Sequence, residues 1–196
     1  LLVFLGALLL LPDKIYAQEW TSDYVSETTR DTVPFAQRII HRLGVEGRVG
    51  YIFPTNPFLE GYNSRGKSIS TTYSGHLKYS FQFRPHTAVD QAYMGAYQGI
   101  GVGYFDFGNS QDLGTPIALY LFQGGRLAQI TPRLSFNYEW NFGASFGWKH
   151  YDEYENPQNK IIGSSTNAYL NASLNLNWAV SPQFDLIVGA TGTHFS

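Results

Sequence analysis

His194 and Ser196 stand two positions apart in a run whose alternate members Phe184, Leu186, Val188 and Ala190 are apolar and share their parity. In a β-strand such a pair lies on one face, about 7 Å apart at Cα. An imidazole beside a hydroxyl can act as its general base, which is the basis of acyl transfer through a serine nucleophile. A serine two residues from a histidine is common on strands. What sets this pair apart is the company it keeps, because polar side chains on a face turned to lipid are costly and need a reason. Other chemistry is sparse. The remaining histidines, His41, His76, His86 and His150, show no metal-ligand spacing, so no zinc site is expected. Cysteine is absent, which excludes a disulfide scaffold, Cys-ligated metal and a thiol nucleophile. Gly99-Ile100-Gly101-Val102-Gly103 resembles a nucleotide loop only superficially and reads as a strand with glycines on one face. Asn171-Ala172-Ser173 matches a glycosylation sequon but lies within a run that reads as strand.

The elements that must carry the pair are strands. From Leu134 to Trp148 one parity reads Leu, Phe, Tyr, Trp, Phe, Ala, Phe, Trp, and the other Ser, Asn, Glu, Asn, Gly, Ser, Gly. A period of two sorts these residues into an apolar and a polar face; a period of 3.6 would mix them. The same pattern runs from Ala168 to Trp178, with Tyr169 as an exception on the polar side, and again from Phe184. Weaker candidates are Val45 to Pro54, Thr71 to Phe83, Gln98 to Phe107, and Ile117 to about Ala128, where Gly124-Gly125 suggests a bulge. Long connections, Thr55 to Ser70 and Lys149 to Ser165, alternate with tight ones such as Ser181-Pro182-Gln183. Glu139 falls on the polar parity beside Asn137 and Asn141 and is expected to join an interior hydrogen-bonded network. Trp148 and Trp178 are expected to be aromatic residues at the membrane boundary.

Composition agrees. The 196 residues carry 13 Lys+Arg and 15 Asp+Glu, a net charge of −2, which gives nucleic acid no electrostatic footprint. Charged residues are 14% against about 25% in soluble proteins, and aromatics reach 16%. Leu1 to Leu11 is uniformly apolar but too short for a membrane helix, which needs about 20 residues. It fits the hydrophobic core of a secretory signal peptide. The expected organisation is therefore a partial signal peptide over 1–17, a periplasmic segment over 18–43, and a transmembrane barrel over 44–196. Phe35, Ile39, Ile40 and Leu43 have helical spacing within that segment. Seven strands are legible, and because outer-membrane barrels are even-numbered an eighth is expected beyond Ser196. The fold class is all-β, an antiparallel eight-stranded outer-membrane β-barrel. A soluble lipocalin-like barrel would show the same parity turned inside out.

Three segments carry a family resemblance: Tyr120-Leu121-Phe122-Gln123-Gly124-Gly125, Pro132-Arg133-Leu134-Ser135-Phe136-Asn137-Tyr138-Glu139-Trp140-Asn141-Phe142-Gly143, and Thr193-His194-Phe195-Ser196. Across Gly99 to Ser196, about half the chain, the sequence resembles the PagL-type lipid A 3-O-deacylases, and more narrowly the branch labelled acyloxyacyl hydrolase. The resemblance implies an esterase of the bacterial outer membrane that removes an ester-linked acyl chain from lipid A of lipopolysaccharide. It makes His194 the general base and Ser196 the nucleophile, with no cofactor. It also implies an acidic triad member on the following strand, outside these residues, without which the stretch alone is expected to be inactive. The competing expectation is a non-enzymatic barrel serving adhesion or envelope integrity.

Overall fold

The computed structural model describes residues 2–12, 39–84 and 88–196. The strands are β1 Leu2–Pro12, β2 Ile39–Ile52, β3 Thr71–Phe83, β4 Tyr97–Asp106, β5 Gly114–Thr131, β6 Leu134–Trp148, β7 Thr166–Ala179 and β8 Asp185–Phe195. Among the described residues helix is confined to α1 Pro57–Glu60 and α2 Ala88–Ala92. Strands β2 to β8 form one curled sheet in chain order, every neighbouring pair antiparallel. These are the seven strands that the alternation predicts.

Strand pairing also takes in residues on either side of the stretch 13–38. The apolar run read as a leader is extended: Leu2–Pro12 pairs with β2 along its length and with β8 from Leu2 to Leu9. The segment expected to precede the sheet yields its last residues to β2, which begins at Ile39 rather than near Val45. Pairing of Ile39 to Leu43 with Phe83 to Tyr79 leaves His41 and Leu43 exposed, so alternation wins there over helical spacing. Phe35 and His86 lie outside the described residues.

The two parities separate along the sheet, with Trp148 and Tyr169 as exceptions taken up below. Val45, Val49, Leu77, Ile100, Val102, Leu119, Leu121, Phe142, Leu174 and Val188 are exposed on the convex face, Leu77 at 60% and Leu121 at 61%. The concave face buries Arg48, His76, Lys78, Asn137, Glu139, Asn141, Asn171, Thr191 and Thr193. The apolar parity is therefore the outer one, the reverse of a lipocalin-like interior.

Small residues make room inside. A side chain at Gly99, Gly101 or Gly103 would collide with the rings of Phe122, Tyr120 or His76 respectively, so the alternating glycines of β4 admit three large neighbours. Gly124 is held close to the Tyr97 ring and the Tyr138 backbone. The irregularities of this hairpin lie elsewhere, between Gly114 and Ile117, between Arg126 and Ala128 and between Gln129 and Thr131. The connections after β2, β4 and β6 emerge at one end, where Asp112 ties them together, while the β3–β4 connection over 84–96 lies at the other. Asp112 Oδ2 accepts from Ser64 N and Oγ and from Asn109 Nδ2, at 3.0, 2.8 and 2.7 Å. Its carbonyl accepts from Asn156 and Asn159 at 2.9 and 2.8 Å.

Candidate functional site

His194 and Ser196 lie at the loop end of β8, and both are exposed. Thr193 is buried on the opposite face and accepts from Asn171 Nδ2 at 2.7 Å. Between the pair, Phe195 turns inward into an aromatic cluster with Trp148, Phe105 and Tyr169, at ring separations of 4.8, 5.2 and 5.5 Å. Alternation about this anchored ring sends its two neighbours outward. Backbone bonds between Ser196 and Ala168 in both directions, 3.2 and 2.6 Å, hold the strand end against β7. Register sets His194 beside Leu170 and, one strand on, Phe142. Ser196 is level with Ala168 and Ala144. The pair thus sits on the apolar wall, as the shared parity predicts.

No hydrogen bond joins His194 to Ser196, and among the described residues no carboxylate partners His194. The outward-facing groups are brought to one face without a third member to fix the imidazole.

A second serine–histidine pair escaped sequence reasoning. Ser74 Oγ lies 3.0 Å from His76 Nε2, and His76 Nδ1 lies 3.0 Å from Tyr120 Oη. The hydroxyl, the imidazole and an orienting group are thus in line, the ordering seen in nucleophile–base–orienter sites. Its surroundings argue against catalysis. Ser74, His76 and Tyr120 are buried, with Phe105 edge-on to the imidazole at 5.3 Å, so an ester cannot reach the hydroxyl. The pair is a satisfied interior network. Ser-x-His at 74–76 was visible in the sequence, but Tyr120, 44 positions away, was not connected to it.

Glu139 occupies the expected interior position, and its network crosses the concave space. It is ion-paired with Lys78 and accepts from Tyr97 Oη at 3.1 Å. Lys78 also approaches Glu46 at 3.6 Å, and Glu46 takes a two-point contact from Arg48 at 2.7 and 3.0 Å. At the opposite end Arg42 reaches Asp185 at 2.7 Å, linking β2 to β8 directly.

Trp148 departs from its predicted role. Gly147 takes φ 87°, a conformation suited to glycine, and the resulting turn of the chain carries Trp148 inward. There its Nε1 donates to Ser145 Oγ at 2.8 Å. Trp178 stays on the outer face, 49% exposed. Tyr169, the exception of its strand, is buried in the same cluster as Trp148, which explains an aromatic on the polar parity.

Comparisons of the chain with models of known protein families, with curated proteins and with solved structures found no match.

Proposed function

We propose that the protein is an outer-membrane β-barrel esterase that removes an ester-linked acyl chain from lipid A of lipopolysaccharide. In this reading His194 is the general base and Ser196 the nucleophile. The observation that carries it is the placement of a histidine and a serine side by side on an apolar outer wall, at the end where the long loops emerge. A lipid in the outer leaflet meets such a wall laterally, so its ester needs no tunnel into the protein. The polar interior and apolar exterior support a membrane setting, since lipid favours an apolar band outside a closed barrel with a polar inside.

In the reaction His194 takes the Ser196 proton as Oγ attacks the acyl carbonyl. The proton passes to the departing sugar oxygen, and the acyl-serine is then hydrolysed by water activated by the same imidazole. Supporting the histidine requires an acid, which the resemblance places on a strand following β8.

The test is mass spectrometry of lipid A from cells expressing the full-length protein and its Ser196→Ala variant. Loss of one hydroxyacyl mass with the wild type alone supports the reading. Loss with both keeps an esterase and removes Ser196 from it. No loss with either, while the protein resides folded in the outer membrane, favours a binding barrel. That second reading draws on the loop cap, where Asp112 immobilises a surface exposing Tyr62 at 68% and Tyr154 at 89%.

A further inference from the structure

The outer wall carries polar side chains at a second place. On β2, β4 and β5 the outward parity is apolar at Leu43, Ile100 and Leu121. Next in line, toward the end opposite the loop cap, stand His41, Gln98 and Gln123. Register sets the three in one row across the sheet. His41 is level with Phe81, Phe81 with Gln98, Gln98 with Gln123, and Gln123 with Trp140. His41 and Gln98 lie near the start of β2 and β4, and Phe81 near the end of β3. The row therefore begins at the turn end of the wall, away from Ser196.

These groups have unused hydrogen-bonding capacity. Tyr79 Oη lies 2.7 Å from His41 Nδ1, with the two rings stacked at 5.9 Å. That contact fixes the imidazole and leaves Nε2 without a partner among the described residues. Gln98 and Gln123 are directly opposite each other, about 5 Å apart at Cβ. Neither side-chain amide is hydrogen-bonded among the described residues. Polar groups turned to lipid are costly unless something meets them. Here the lipid itself has the matching chemistry. Tyr79, Phe81 and Trp140 are aromatic residues of the kind that mark a membrane boundary. At that depth a glycerophospholipid presents phosphate and ester oxygens, all acceptors, to amide and imidazole N–H donors. Arg84, exposed where β3 ends, adds positive charge at the same end, complementary to phosphate.

We propose that His41, Tyr79, Gln98 and Gln123 form a docking site for the headgroup of a glycerophospholipid in the leaflet at the turn end. Phe81 and Trp140 flank its acyl chains. The inference rests on the membrane part of the functional reading and is independent of the esterase, whose residues lie at the other boundary.

The test is native mass spectrometry of the full-length protein, extracted from the outer membrane in mild detergent and titrated with palmitoyl-oleoyl-phosphatidylethanolamine. The diacylglycerol with the same chains, which lacks the phosphate, is titrated in parallel. The expected result is one saturable phospholipid adduct, with the diacylglycerol bound far more weakly. His41→Leu and the double variant Gln98→Leu/Gln123→Leu are each expected to weaken the adduct about tenfold. Both changes make the wall more apolar, so the compact form on unboiled gels is expected to persist. Equal retention by the variants overturns the proposal, because the lipid is then non-specific. Equal binding of the diacylglycerol also overturns it, as does a two-copy species lost in the variants, which would make the row a contact between chains. The lipid A assay reads the other leaflet. Ser196-dependent deacylation with no specific adduct therefore fails the docking site alone. Recovery of the protein without detergent would fail the membrane reading and the site together.

Discussion

Ser74 and Ser196 pose the same chemical question with opposite surroundings, and substitution separates them. Ser74 has the better-aligned histidine, yet Phe105 and Tyr120 close over it. Ser196 has a loose histidine and open access to the apolar wall. The expected outcome is that Ser74→Ala retains deacylation within a few-fold of wild type, while Ser196→Ala abolishes it. Lipid A mass spectra from matched expression levels decide this, and equal loss in both variants would return the interior triad to consideration. The buried ions give a second prediction at this scale. Lys78 and Glu139 are 4% and 5% exposed, so removing Glu139 leaves an excess buried positive charge, with Lys78 and Arg48 sharing Glu46. Glu139→Leu is expected to destabilise by about 3–5 kcal/mol in urea titrations of the protein in lipid or detergent. The double variant Lys78→Met/Glu139→Leu is expected to recover part of that loss, because no uncompensated charge remains from the pair.

At the scale of elements, the loop cap behaves as one unit because Asp112 joins three connections. Asp112→Ala removes an acceptor used by Ser64 and Asn109 and leaves the buried Asn109 amide unmet, at about 1–3 kcal/mol. The expected readout is faster proteolysis in the loops of Ser64 and Asn109 together, with the loop of Asn156 and Asn159, held by the retained carbonyl of residue 112, and the strands unaffected; cleavage confined to Gly108–Leu113 would mean the loops are independent. A smaller device within the last loop depends on pH. Asp152 accepts from the amides of Glu155 and Tyr154 at 2.9 and 2.8 Å, and these bonds hold its carboxyl below the usual carboxylate range. A depressed pKa stabilises the turn above the ordinary carboxylate pKa, and that contribution disappears as pH falls through the lowered value. Amide exchange at Tyr154 and Glu155 is therefore expected to show extra protection near neutrality that is lost at low pH, and Asp152→Asn should remove the pH dependence. The strands between these loops were legible because each is a run of period two. The loop cap was not, because Ser64, Asp112, Asn156 and Asn159 are far apart in the chain and individually ordinary. Phe195 shows the middle case: its parity was readable, but its partners Trp148 and Phe105 come from β6 and β4.

For the whole molecule, alternation leaves open which face is outside, and that choice decides the solvent. The curl of the sheet resolves it, with the aliphatic and aromatic parity on the convex side. Tyr73 and Phe81 on β3, both outward, are eight steps apart, about 26 Å at ~3.3 Å per residue. A tilt of about 35–45° shortens this to about 20 Å along a bilayer normal, comparable with the ~25 Å apolar band of outer-membrane barrels. Between them lie Leu77 on β3 and, on neighbouring strands, Val45 and Val102, with no charged side chain on the outer face of β3 to β5 over that height. Leu77→Arg therefore discriminates between solvents. On a surface facing water, such a change is usually worth no more than about 0.5 kcal/mol. Facing the middle of a bilayer, it is expected to cost about 2–4 kcal/mol. Urea unfolding in phospholipid vesicles gives the number directly. A cost in that range, falling for Tyr73→Arg and Phe81→Arg nearer the band edges, marks the convex face as lipid-facing. A uniform cost near zero at all three positions would mean that water covers it, and the lateral route of an acyl ester to Ser196 would fall with the membrane.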